Sequence, residues 1–177
     1  MTKTLILAAV AALALAAPVA AADLRPVTAP TTIEAIIADT TWTGPYVGLN
    51  GVVEVTNGAT QYGPELVVGY NQAIDMFLVG AEVSLEGLNY VNGVTFNEVT
   101  VGVTGKAGVI LTDTVGVYAL AGLERELNTG VNSGRVGAGV EAKLTQEVSI
   151  VGEYARSWEF GNTVPSDQFT VGLRYSF

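Results

Sequence analysis

The 177-residue chain contains no cysteine and no histidine. Without cysteine it can form neither disulfide staples nor a thiolate nucleophile. Without histidine it lacks the commonest general base and the commonest zinc ligand. Basic residues are scarce as well, 8 Lys and Arg against 17 Asp and Glu, and the net charge of −9 argues against nucleic acid as a partner. Long apolar runs are missing beyond the N-terminus. The longest is GVYALAGL at 116–123, far short of the roughly 18 residues of a transmembrane helix. Neither TDT nor NSGR has the ligand spacing of a calcium loop. No enzyme, no cofactor and no metal site are therefore expected.

What is present is hydrophobicity spread thinly: 49% of the residues are apolar and the mean hydropathy is +0.41. The N-terminus holds the densest part. MTKTLILAAVAALALAAPVAAAD has one Lys, an apolar stretch from Leu5 to Ala17 and small residues at Ala20, Ala21 and Ala22, which reads as a secretory signal peptide over residues 1–22, cleaved after Ala21 or Ala22. Its removal takes Lys3 away and leaves seven basic against 17 acidic residues. Residues 23–41, rich in Thr, Ala and Pro without sustained period, read as a linker.

After Trp42 the chain alternates apolar and polar residues in segments of about ten, a period-two strand pattern. Eight segments are expected near 45–55, 64–72, 76–88, 95–111, 115–126, 133–144, 148–159 and 167–177. The connections NQAID, TDT and TQE are tight, whereas TNGATQYG, the region around NYVNG, NTGVNS and GNTVPS are longer. Tight turns at one end and longer loops at the other describe an all-β, eight-stranded antiparallel up-and-down barrel over residues 42–177, with the tight turns on the periplasmic side.

Phasing the strands confines mid-strand charge to one face. Val99, Val101, Val103, Ala107, Val109 and Leu111 oppose Glu98, Thr100, Thr104 and Lys106. Arg125 and Arg156 fall on the apolar phase, near strand ends from which they can reach water or headgroups. Alternation alone fits a soluble barrel with an apolar lumen equally well. Glycine decides: Gly48, Gly69, Gly80, Gly102, Gly108, Gly116, Gly122, Gly137, Gly139 and Gly172 lie on the charged face, against Gly51, Gly105 and Gly152 on the apolar one. Glycine weakens a strand unless close packing repays it, and a crowded lumen supplies that packing. The charged face is accordingly placed inside, with Glu82, Glu141 and Glu153 pairing with Lys106, Arg135, Lys143 and Arg174. The apolar face meets lipid. Tyr175 and Phe177 form an aromatic rim with Tyr70 and Phe77, and Trp158, Phe160 and Phe169 form the opposite one.

WTGPYVGLNG at 42–51, VVGYN at 67–71, VGAEVSL at 79–85, VTVGVTGKAGVIL at 99–111, VGAGVEAKLTQEVSIVGEY at 136–154 and the terminal VGLRYSF resemble the small porin-family outer-membrane barrels of alphaproteobacteria, similar to the OmpA transmembrane domain and OmpX. The resemblance implies residence in the outer membrane of a Gram-negative bacterium, in contact with its lipid. It also implies a C-terminal signal for the barrel-assembly machinery at Phe177, with Tyr175 and Leu173 on the same face. A mature N-terminus of Ala22 followed by Asp23 resembles relatives whose terminal amine is joined to peptidoglycan. Compact loops and the pair Val52 and Val53 depart from the family pattern and speak against a loop-borne adhesin. The expected function is structural support of the envelope, with a lumen filled by the ion network, since a bore of eight strands is about filled by side chains. A narrow porin-like channel for small solutes or ions is the alternative, and a soluble periplasmic lipocalin-like binder the second.

Overall fold

A computed structural model describes residues 42–90, 98–161 and 164–177. The signal peptide, the linker with Ala22 and Asp23, and most of the NYVNG connection lie outside the described residues.

Eight strands follow one another: β1 (Gly44–Thr56), β2 (Ala59–Ile74), β3 (Phe77–Tyr90), β4 (Glu98–Thr112), β5 (Val115–Glu126), β6 (Asn132–Lys143), β7 (Val148–Glu159) and β8 (Pro165–Ser176). Each pairs antiparallel with its sequence neighbour, and β8 closes on β1. At 12 to 16 residues, every strand exceeds the roughly 9–11 residues needed to cross a bilayer. Closure satisfies the ladder of every strand, as hydrocarbon requires. Among the described residues no helix is long and apolar enough to make that crossing.

β2 differs most from the sequence expectation. β2 begins at Ala59 rather than near 64, because Asn57 and Gly58, at φ of 49° and 89°, make a two-residue hairpin turn. The expected longer loop TNGATQYG is thus largely strand. Asn-Gly is the dipeptide that such turns favour. At the other end Ile74 and Phe77 pair directly across Asp75 and Met76, so one turn of the loop end is as short as those of the turn end.

The alternation resolves as phased. Outward side chains include Leu49, Leu66, Val68, Val83, Val103, Leu123, Val136 and Leu173, all exposed. Facing inward are Asn50, Glu65, Glu82, Lys106, Arg135, Glu141 and Arg174, all buried. The ten charged-face glycines would each bring an added methyl within 3.2 Å of another atom, whereas at Gly51, Gly105 and Gly152 the nearest atom is 3.8 Å or more away. Several of the ten sit directly opposite the large inward side chains they accommodate. Tyr46 pairs across strands with Gly69, Tyr118 with both Gly108 and Gly139, and Asn50 with Gly172.

Candidate functional site

The inward side chains form three layers along the barrel. Towards the turn end Trp42, Ala73, Leu78 and Tyr118 occupy the lumen, and the apolar cluster they belong to continues along the wall to Leu120, opposite Lys106, and Ala155, opposite Gln168. Trp42 precedes β1 and folds under it; its indole Nε1 donates to the Asp113 carbonyl at 3.1 Å, and its ring lies against Gly116. The Lys143 ammonium lies 5.0 Å from the Trp42 ring centroid. The structure thus places Lys143 over Trp42 in this layer.

Above it lies the ion network. Arg174 donates to Glu141 Oε2 at 2.7 Å and to Glu153 Oε1 at 2.8 Å, and its Nη2 stands 3.5 Å from Glu82 Oε2. Lys106 Nζ reaches Glu82 at 2.5 Å and Glu153 at 3.3 Å. The side chains of Lys106, Arg174, Glu82 and Glu141 are no more than 2% exposed. Two tyrosines complete the layer. Tyr46 donates its hydroxyl to Glu82 at 2.8 Å and Tyr118 to Glu153 at 2.5 Å, while the Arg174 guanidinium and the Lys106 ammonium each lie 5.0 Å from one of their rings. Ser149 Oγ donates to the other oxygen of Glu141 at 2.6 Å. Buried charge is tolerated only when paired and hydrogen-bonded in this way, and charge-assisted bonds are the stronger class.

Arg135 begins the third layer. Its guanidinium bonds Glu124 at 2.8 Å and Gln168 at 3.3 Å, with Glu65 at 3.9 Å and Glu82 at 3.8 Å. Gln168 passes the chain of bonds to Glu86 at 2.9 Å, and Asn50 donates to Glu65 at 2.7 Å. Beyond Arg135 the lumen opens towards the loops as a vestibule of about 250 Å³, lined by Glu54, Glu86, Glu98, Glu124, Glu126 and Glu159 and by no Lys or Arg.

Six of the seven residues expected in the network, Glu82, Lys106, Arg135, Glu141, Glu153 and Arg174, are thus brought together. The route differs from the expected one. Arg174 pairs across strands with Ser149, and Glu153 with Thr170, so the guanidinium reaches Glu153 by extending along the lumen rather than across it. Sequence reasoning missed Tyr46, Tyr118, Glu65, Glu124 and Trp42. The two tyrosines were discernible from their phase alone, which they share with Gly48 and Gly116. At the rim, Tyr175 and Phe177 stack edge to face with centroids 5.2 Å apart, and the Phe177 N–H donates to the Pro45 carbonyl at 3.1 Å. Leu173, Tyr175 and Phe177 all face outward.

Residues 6–177 match the family described as "Outer membrane protein beta-barrel domain". No curated protein matches the chain. Among solved structures, Neisserial surface protein A is 19% identical, with a TM-score of 0.53 over 76% of this chain and 98% of its own. Ail, the attachment invasion locus protein of Yersinia pestis, is 16% identical, with a TM-score of 0.51 over 76% of this chain and 97% of its own. A second structure of Ail, in complex with the heparin analogue sucrose octasulfate, has a TM-score of 0.52 at the same identity and coverage. These likenesses establish the shared barrel fold.

Proposed function

Because the chain belongs to the family of outer membrane protein β-barrel domains, we propose that it is a structural barrel of the Gram-negative outer membrane whose bore is closed by its own side chains. The soluble lipocalin-like reading falls with this membership and with the apolar exterior. The observation that carries the proposal is the buried network of Arg174, Lys106, Glu82, Glu141 and Glu153, which draws on five strands: β3, β4, β6, β7 and β8. Opening a water path through it would strip several charges of their partners at once, at a cost that grows with every bond broken. The apolar cluster around Trp42 supports the same reading from the turn end.

Planar-bilayer recording tests it. The purified, folded protein is expected to show no steady conductance, and a reproducible pore of nanosiemens size would establish the narrow channel instead. The polyanion named with Ail does not transfer to the mouth of this barrel. Six glutamates line the vestibule, and a sulfated ligand would meet like charge.

The linker 23–41 enters the reading as a tether. With β1 beginning at the turn end, the chain before Trp42 emerges on the periplasmic side, and the amine of Ala22, followed by Asp23, is the proposed attachment to peptidoglycan. Mass spectrometry of muramidase-digested cell walls is expected to yield the N-terminal peptide bearing a cell-wall fragment. Recovery of that peptide only in free form would reduce the segment to a spacer.

A further inference from the structure

Three charged residues face outward from the described strands, Arg125, Arg156 and Asp167. Two of them answer each other: Arg156 and Asp167 are a cross-strand pair with Nε and Oδ1 3.9 Å apart. Arg125 has only a neutral partner among the described residues, the Asn132 side-chain oxygen at 3.1 Å. It is exposed at the loop end of β5, on the face that meets lipid. Directly below it the outer surface is indented by a groove of about 480 Å³ between β4, β5 and β6, walled by Val101, Val103, Leu123, Leu127 and Phe160. Beside it Gly134, which faces outward opposite Leu123, brings no side chain, and Trp158 and Phe160 lean over its backbone, the Phe160 ring forming one wall. Glu124 also borders the groove but turns its carboxylate inward to Arg135 at 2.8 Å.

We propose that this groove is a seat for a phosphorylated glycolipid of the outer leaflet, with one acyl chain along the apolar walls and a phosphate monoester on the Arg125 guanidinium. In a bilayer such a groove is filled by hydrocarbon in any case. What makes it selective is a cation fixed at headgroup height without an outward carboxylate to neutralise it, and a guanidinium matches phosphate geometry in two-point contact. The size lies within the roughly 300–1,000 Å³ of sites that hold one small ligand. The seat rests on the loops facing outward from the cell and not on the closed bore, so the conductance result above leaves it untouched.

The test uses the full mature chain, folded in neutral detergent and titrated with bisphosphorylated lipid A under native mass spectrometry, each variant first confirmed as folded by its heat-dependent gel shift. Arg125→Gln, which keeps a donor for Asn132, is expected to weaken lipid A retention about tenfold, the loss of one charge-assisted contact. Leu123→Trp, which fills the groove and leaves the charge, is expected to weaken it comparably. Arg156→Gln is expected to bind as the unaltered protein does. Lipid A stripped of its phosphates is expected to bind all forms alike and weakly. Retention unchanged in Arg125→Gln would overturn the seat, as would equal losses in Arg125→Gln and Arg156→Gln. Phosphatidylglycerol binding as tightly as lipid A would reduce it to ordinary annular lipid.

Discussion

At the residue scale, the barrel is governed by how inward side chains share a narrow bore with glycine. A methyl added at Gly139 would stand 2.6 to 2.8 Å from the Tyr118 ring and hydroxyl, whereas at Gly105 the nearest atom is the Ala121 carbonyl at 3.9 Å, on the lipid side. Gly139→Ala is expected to cost about 1–3 kcal/mol through forced displacement of Tyr118 and the bond it makes to Glu153. Gly105→Ala should be neutral or stabilising by about 0.4–1 kcal/mol, since it only restricts the unfolded chain. Urea unfolding in detergent micelles, read by the gel shift, separates the two; equal effects would mean that lumen packing does not govern these positions. The same assay applies to Arg174. Replacing it with Ala leaves Glu141 and Glu153 without their 2.7 and 2.8 Å partners, and a loss of about 1–3 kcal/mol is expected. Arg174→Lys should recover part of that loss by keeping the charge without the two-point geometry.

At the scale of the element, β8 both closes the sheet and ends it on Phe177, whose N–H bonds Pro45 in β1. Leu173, Tyr175 and Phe177 form one outward row, the row proposed as the assembly signal. Deleting Phe177 is expected to leave export intact but to raise the fraction of unfolded protein in the periplasm, measured by fractionation and gel shift; normal assembly without it would remove the signal from that residue. The strands themselves were legible because lipid and lumen impose opposite chemistry on alternate residues, so phase survives even where a boundary does not. β2 is longer than its sequence suggests because Thr60, Gln61 and Gly63 look like loop residues, although the Asn57–Gly58 dipeptide already marks the turn. The composition of the ion network was legible for the same reason of phase. Its pairing was not, because register and the reach of long side chains set it: Arg174 lies opposite Ser149 and stretches to Glu153. Trp42 was invisible as a lumen residue because it precedes the first strand and belongs to no alternating pattern.

For the whole molecule, the three layers arrange charge unevenly along the bore. The turn end is stoppered by Trp42, the middle is cross-linked by Lys106 and Arg174 with their carboxylates, Arg135 stands above them, and the loop end carries six glutamates with no Lys or Arg among the residues lining the vestibule. Rings of carboxylate in a low-dielectric mouth concentrate cations and repel anions. The vestibule therefore sets the selectivity of any path opened beneath it, while Trp42 and the network set whether such a path exists. Trp42→Ala combined with Arg174→Ala removes the stopper and the central cross-link and leaves the glutamates in place. In planar bilayers under a potassium chloride gradient, this double variant is expected to conduct where the unaltered protein does not, with a reversal potential of the sign that marks preference for potassium. Replacing Glu98 and Glu126 with Gln in that background should move the reversal potential towards zero, because two of the charges that repel chloride are gone. A double variant that conducts with preference for chloride would show that the remaining lumen cations, Lys106 and Arg135, govern the field instead. One that folds and remains silent would show that the rest of the lumen closes the bore without Trp42 or Arg174.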